Sequence, residues 1–320
     1  MGVVIMEYGE LGGTGLRVSR LVLGTLTMGP LQANMSVDEG AGLIRHALDL
    51  GVNFFDTAEV YDTYHYLKAA LRGIGDEAMV ATKSFAYTWD GMKKSLEKAR
   101  KGIDRDVLDV FLLHEQESAK TLEGHRPALE YLLDAKARGL VRAVGVSTHY
   151  VEVVETAAGM KEIDVIHPML NREGLGIQGG GLDDMLAAVR RAKEAGKGIY
   201  GMKALGGGNL IKDALAALEW ARDLPFVDAF AVGVTSREEL EVDAMIFSRE
   251  EVPSALLERV SKRKRTLLIE KWCRGCGRCV DACQFGALRL VGGRAEVDPA
   301  RCVLCGYCAA RCKDFFIKVI

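Results

Sequence analysis

The sequence predicts an α/β protein: a (β/α)8 barrel over residues 1–250, a helical connector over 251–270, and a small cysteine-rich α+β module over 271–320. Three observations predict it. Eight short apolar runs alternate with helix-like amphipathic stretches between Arg20 and Val234, and the alternation stops after residue 250. No Gly-x-Gly-x-x-Gly follows the first run, which disfavours a doubly wound dinucleotide-binding sheet. All eight cysteines crowd between Cys273 and Cys312.

The first segment, MEYGELGGTGLRVS, reads as a β-hairpin with Gly-rich turn signals. Its Gly12-Gly13-Thr14-Gly15 stretch is a turn rather than a phosphate loop, because no strand–helix unit surrounds it. The buried strands follow: RLVLGT (20–25), VNFFDT (52–57), AMVATK (78–83), VLDVFLLH (107–114), VRAVGVST (141–148), DVIHPML (164–170), GIYGMKAL (198–205) and DAFAVGV (228–234). Continuous apolar runs suit a parallel sheet covered on both faces. Between them lie helical patterns such as VDEGAGLIRHALDLG, TLEGHRPALEYLLDAKARG and LDDMLAAVRRAKEAG, the last two ending at Gly after basic residues. VPSALLERVSKRKRTLLIEK reads as the helical connector, and ALRLVGGRAEVD as a hairpin with a Gly-Gly turn.

With 320 residues, 49% hydrophobic and 27% charged, the chain has room for one barrel of about 250 residues and a small second unit. Its net charge is −2, unevenly placed: residues 271–320 carry +5 and the rest −7. The charge gives no argument for a nucleic-acid partner, and none is expected. The run Lys262-Arg263-Lys264-Arg265 is a solvated helix face, or a docking patch for an acidic redox partner or for the barrel itself. No run of 18 apolar residues exists and the first residues lack a secretory pattern, so neither a membrane span nor a leader is expected. Thiols confined to one short segment point to metal or cluster ligation in a reducing cytoplasm.

Active sites in such barrels sit at the C-terminal ends of the strands. Asp56, Lys83 and His114 stand at three consecutive strand ends, and Tyr61 follows Asp56 in its loop. Singly, each has a plain structural explanation; together they form a site. NFFDTAEVY, ATK and LLH, with RLVLGT before and VGVS after, resemble the aldo-keto reductases over roughly residues 6–250. That resemblance implies a catalytic tetrad of Asp56, Tyr61, Lys83 and His114. The chemistry fits independently. A ketone that accepts hydride needs a proton on oxygen, and tyrosine is a weak acid with a pKa of about 10. A neighbouring lysine ammonium favours the phenolate, Asp56 holds that lysine, and His114 hydrogen-bonds the carbonyl.

The resemblance also implies a nicotinamide coenzyme, NADP(H) or NAD(H). Ser147 falls where a residue binds the carboxamide. The next slot and one on the sixth strand, often Asn and Gln in the family, hold Thr148 and His167. Met202, followed by Lys203, stands where an aromatic usually stacks on the ring; it reads equally as an inward barrel residue. ALGGGNL, with Leu205, Gly206 and Gly208, is a turn able to cradle a pyrophosphate. In VGVTSREEL, Thr235, Ser236, Arg237 and Glu239 match the segment that meets the adenosine phosphate, which favours NADP(H); Ser followed by Glu is also a capping pattern.

The cysteines repeat one spacing, C-x2-C-x2-C-x3-C, at Cys273, Cys276, Cys279, Cys283 and again at Cys302, Cys305, Cys308, Cys312. Zinc ribbons usually separate two C-x2-C pairs by a longer span. The pattern resembles two-cluster ferredoxins, in which the fourth cysteine of each run ligates the other [4Fe-4S] cluster. This implies one cluster on Cys273, Cys276, Cys279 and Cys312 and a second on Cys302, Cys305, Cys308 and Cys283. Gln284 and Lys313 replace the prolines usual after the fourth cysteines.

The chain is expected to be a cytoplasmic oxidoreductase with a small carbonyl or alcohol substrate and a redox partner protein. Three readings stand: a carbonyl reductase with a separate electron path, an enzyme whose altered pocket holds a flavin or other mediator, and an electron-transfer protein with the barrel as scaffold.

Overall fold

The computed structural model describes residues 5–75 and 77–320; Met1–Val4 and Asp76, and with them the start of the expected leader-free segment, lie outside the described residues. The hairpin strands β1 (Tyr8–Glu10) and β2 (Arg17–Ser19) pair antiparallel. Eight parallel strands then close a barrel: β3 (Leu21–Gly24), β4 (Phe54–Asp56), β5 (Met79–Ser84), β6 (Leu108–Gln116), β7 (Val141–Thr148), β8 (Val165–Pro168), β9 (Gly198–Met202) and β10 (Ala229–Gly233), with β10 returning to pair β3.

Three apolar clusters stack along the barrel. The largest lies between strands and helices, with Leu23, Phe55, Phe111 and Val146 facing Leu43, Leu96, Leu132 and Val189. A second fills the barrel and its lower end: Val22, Phe54, Val110, Leu112 and Tyr200 meet Leu11, Leu16 and Val18 of the hairpin. The hairpin is therefore a plug. Gly12 makes this fit possible, since a Cβ there would lie 2.2 Å from the Gly198 nitrogen. The third cluster is at the upper mouth, where Met169, Met202 and Phe315 pack together.

Helix starts follow the capping chemistry. Ser36 and Glu39 form a reciprocal capping box on the helix Val37–Asp49, and Ser118 caps Ala119–Gly124. The stretch read as one helix from Thr121 is two, Ala119–Gly124 and Arg126–Ala137, because Pro127 lies in the first turn of the second.

The connector also differs from expectation. Its first half is the helix Ser254–Ser261, but Leu267–Ile269 is a strand, β11. The module continues with the hairpin β12 (Leu288–Val291) and β13 (Arg294–Val297), then β14 (Ile317–Val319), which pairs antiparallel with β11. Three apolar residues are too few to reveal a strand whose partner lies near the far end of the chain. Gly292 and Gly293 both take positive φ, as the two-residue turn requires. The basic run follows the helix instead of lining it: Arg263 and Arg265 reach Glu239 on the barrel, while Lys262 pairs with Glu258.

β14 docks the module on the barrel. Its free edge meets the turn after β9: Val319 N–H donates to the Gly207 carbonyl at 2.9 Å, and Asn209 Nδ2 donates to the Ile317 carbonyl at 3.2 Å. Phe315, only 2% exposed, plugs the mouth; burying such a ring contributes about 1.5–3 kcal/mol. Gly208, at φ +83°, lies so close that a Cβ would sit 1.9 Å from the Val319 carbonyl oxygen. Gly208→Ala is therefore expected to loosen this docking, with faster hydrogen exchange at the Val319 amide and unchanged protection inside the barrel.

Candidate active site

The barrel's stagger assembles the site. Asp56 on β4 pairs in register with Ala81 on β5, and Lys83 pairs with Leu112 on β6. Each functional residue thus stands two positions beyond its neighbour's partner, on the same inward face. Asp56, Lys83 and His114 climb around the mouth, all buried. Tyr61 ends the 3-10 turn Glu59–Tyr61, and its half-buried ring lies edge-on to His114, centroids 5.8 Å apart.

Lys83 is fully committed. Its ammonium donates to Asp56 Oδ1 at 2.7 Å, to Oδ2 at 2.6 Å and to the Thr57 carbonyl at 2.8 Å. An ammonium has three hydrogens, so none remains for the Tyr61 hydroxyl. Lys83 Nζ instead sits 5.1 Å from the Tyr61 ring centroid. The expected acidification of Tyr61 is absent here. Burial, then the carboxylates of Asp56 and Glu115, push its phenol well above the ordinary range. Tyr61 is a protonated phenol at neutral pH.

His114 is neutral, pushed well below the ordinary range by burial and then by Lys83. Phe85 stacks on it at 4.2 Å, and its Nδ1 is buried with no hydrogen-bond partner. His167 is neutral too, lowered to about 4 chiefly by burial. Its Nδ1 donates to the Tyr200 carbonyl at 2.6 Å, which leaves Nε2 as an acceptor. Tyr200, which sequence reasoning missed, stacks on His167 at 3.9 Å and donates its hydroxyl to Asp56 Oδ1 at 3.1 Å. Its inward position in GIYGM was the available signal.

Two cavities meet at this site, sharing Leu26, Tyr61, Met202, Lys203 and Lys318. One, about 150 Å³, runs from Asp56, His167 and Met202 past Leu205 and Gly208 to Thr235, Glu239 and Arg265. Val319 and Ile320 form part of its wall. The other, about 340 Å³, opens between His114, Phe85 and His149 of the barrel and Trp272, Phe315 and Phe316 of the module. Sequence reasoning missed its module wall entirely.

The remaining expected coenzyme contacts scatter. Ser147 and Thr148 line neither cavity; Ser147 Oγ accepts the Glu115 N–H, and Thr148 Oγ1 donates to the Gln116 carbonyl. Gly206 packs under Leu175 and Leu210. Ser236 caps the helix Arg237–Phe247 by accepting from Glu239 N–H, and Arg237 is exposed on a separate cleft beside Asp38 and Glu39. Glu239 faces the barrel side of the connector, held by Arg263 and Arg265.

In the module, one small cavity is ringed by Cys273, Cys276, Cys279 and Cys312, and a second by Cys283, Cys302, Cys305 and Cys308. Each ring mixes cysteines from both runs. In each ring the thiols surround a space, as a multi-iron cluster needs. Backbone N–H groups reach two sulfurs, Ala287 to Cys283 Sγ at 3.3 Å and Phe316 to Cys312 Sγ at 3.2 Å. Burial pushes the Cys308 thiol up to about 12, so without a bound metal it stays protonated. The donor set fits iron–sulfur clusters.

The neutral histidines give a pH dependence. His167 has a folded pKa of about 4 against about 6.5 unfolded. The unfolded chain then binds more protons below pH 6.5, so stability falls as pH drops from 6.5 to 4. His167 alone accounts for roughly 3 kcal/mol of that loss. Denaturant titrations across this range should show a shallower decline in His167→Gln than in the unaltered chain.

Comparison with known proteins agrees with this geometry. A model of the aldo/keto reductase family matches residues 20–213, and one of a 4Fe-4S dicluster domain matches residues 272–314. An aldo-keto reductase of Bacillus subtilis, YhdN, is 28% identical over 184 residues, 52% of this chain and 54% of the relative. A rice protein described as a voltage-gated potassium channel subunit beta is 28% identical over 187 residues, 52% of this chain and 54% of its own. The chain thus spans about half the length of the curated relatives it matches. The structure of a protein from Pseudomonas aeruginosa, described as an aldo-keto reductase, superposes with a TM-score of 0.65 at 26% identity, covering 76% of this chain and 94% of that one. The chain belongs to the aldo/keto reductase family: a barrel of that family is joined to a C-terminal 4Fe-4S dicluster domain.

Proposed function

We propose that the barrel reduces a small carbonyl compound, or oxidises the matching alcohol, with NADP(H) or NAD(H), and that the module holds two [4Fe-4S] clusters on the crossed cysteine sets. The observation that carries the first part is the place of Tyr61, which lines both cavities above the Asp56–Lys83 pair. The nicotinamide, when bound, supplies or accepts the hydride. The chain's own residues do the rest. Tyr61 keeps its proton until negative charge develops on the substrate oxygen, then donates it. Lys83, with Nζ 5.1 Å from the ring centroid, offsets at the phenolate left behind part of the opposing charge of Asp56. His114 positions the carbonyl as a neutral donor rather than a charge.

The groove also suits the coenzyme. His167 Nε2 is an acceptor for a carboxamide N–H, and Met202 offers an apolar wall. Thr235 and Arg265 stand at the far end, where a phosphate or ribose would meet them. Tyr61→Phe removes the proton and should lower carbonyl-dependent NADPH oxidation by about 10²–10⁴-fold. Steady-state rates across a panel of aldehydes and ketones test this; a variant as fast as the parent refutes the assignment.

For the module, each cluster when bound exchanges one electron. The chain supplies the thiolates, and the amides of Ala287 and Phe316 stabilise charge on two of them. Crossed ligation makes an unusual prediction. Cys283→Ser combined with Cys305→Ser should leave about half of the iron, since both serve one cluster, whereas Cys283→Ser with Cys276→Ser should disturb both. Iron and sulfide analysis of anaerobic protein decides between the two patterns.

A shared wall favours one alternative. Arg274, Asp314 and Phe316 line both the 340 Å³ cavity and the ring that includes Cys312. A flavin or other mediator in that cavity would lie against both chemistries, and a flavin census on the same anaerobic protein tests for it. A redox partner protein and a reducing cytoplasm complete the reading. No helix among the described residues is long and apolar enough to cross a membrane.

A further inference from the structure

Two lysines at the junction of the cavities have no part in the chemistry so far. Lys203 follows β9 and Lys318 lies on β14, so the barrel supplies one and the module the other. Their ammonium groups lie against the ring of Phe315, at 5.0 and 3.5 Å from its centroid. Lys203 Nζ meets His149 Nε2 at 3.2 Å, and Lys318 donates to the Phe315 carbonyl.

Among the described residues, neither ammonium has a carboxylate within 4.0 Å. Glu115 acts on both lysines from a distance, but it faces His149 at 3.7 Å. Glu270 and Asp314 also line the larger cavity; Glu270 acts on both lysines from beyond 4.0 Å, and Asp314 faces Arg274 at 3.7 Å. Buried cations are ordinarily paired, and Lys318 is buried. Burial lowers both lysines and Lys203 lowers Lys318 further, while Glu115 and Glu270 offset this only in part at each. An anion placed between them would relieve both effects.

The backbone points the same way. Lys203 holds φ +62°, a conformation disfavoured for a side chain of this kind. Such strain persists where the surroundings over-determine it, commonly at binding sites. Here it coincides with a lysine that lines both cavities beside Tyr61.

We propose that Lys203 and Lys318 bind an anionic group, a carboxylate or phosphate, on the carbonyl substrate. The favoured substrates are then small oxo acids or phosphorylated aldehydes rather than neutral aldehydes. The proposal rests on the carbonyl reading for its chemistry but not for its test. His149 supports Lys203 as its polar neighbour, and Phe315 keeps the pair dry. The module thereby contributes a specificity residue to the barrel's pocket.

Anaerobic calorimetry on the cluster-loaded protein tests it without turnover. 2-Oxobutyrate should bind at least about tenfold more tightly than the uncharged 2-butanone, and inorganic phosphate should compete with it. Lys203→Gln and Lys318→Gln should each remove most of that preference, and Lys203→Arg should retain it. Iron and sulfide content shows whether each variant has kept its module. Equal affinity for the two ketones, or a preference that survives both substitutions, overturns the proposal. So does a loss of NADPH affinity with 2-oxobutyrate binding intact, which would assign the lysines to the coenzyme. A protein that binds the oxo acid but oxidises no NADPH with any carbonyl would sink the reductase reading and leave the anion site standing.

Discussion

The strand Ile317–Val319 is bonded on both edges, and the shape of the site depends on it. One edge pairs with Leu267–Ile269 and completes the module; the other meets Gly207 at the barrel mouth. This places Phe315 among Met169 and Met202, sets Lys318 opposite Lys203, and fixes Cys312 with its sulfur accepting the Phe316 amide. The 340 Å³ cavity has a barrel wall and a module wall only because this strand joins them.

Beneath the mouth, burial governs the electrostatics. The Asp56–Lys83 pair is buried and fully hydrogen-bonded, which is the condition for tolerating two charges out of water. Tyr200 adds a further donor to Asp56. With Lys83 satisfied, the surrounding titratable groups settle into neutral forms: Tyr61 protonated, His114 and His167 without charge. Among these groups little charge is left uncompensated; Lys203 and Lys318, cations without a carboxylate within 4.0 Å among the described residues, stand at the junction of the cavities. Under the proposed carbonyl chemistry, a developing oxyanion would meet donors that are already placed, in a medium where they act strongly.

Much of this was legible in the chain. The apolar runs mark all eight barrel strands, since a strand covered on both faces must be apolar throughout. That Asp56, Lys83 and His114 converge could be anticipated because consecutive strand ends of such a barrel share one face. Cysteine spacing reveals ligands because ligation geometry acts over a few residues. What failed to show was long-range. Leu267–Ile269 looks like a connector until β14 arrives, and Phe315 and Lys318 belong to the site only through docking. The hydrogen bonds of Lys83 were out of sight for a similar reason. Proximity in sequence says that a lysine is near, but not that Asp56 and Thr57 take all of its hydrogens.

The glycine turn shows how a correct local reading can leave its use open. Gly206, Gly207 and Gly208 all hold positive φ, at +55°, +63° and +83°. Such a turn lets another group approach the backbone closely, and a pyrophosphate is one such group. Here β14 approaches it, nearly touching Gly208 and accepting no side chain between them. The same turn borders the groove whose wall includes Val319 and Ile320. Any ligand that fills the groove lies against the strand that docks the module. By linkage, the docking of the module and the affinity of the groove must then depend on each other, with equal coupling in both directions. An appended domain that supplies part of a pocket wall becomes part of the pocket's energetics, whatever electrons it also carries.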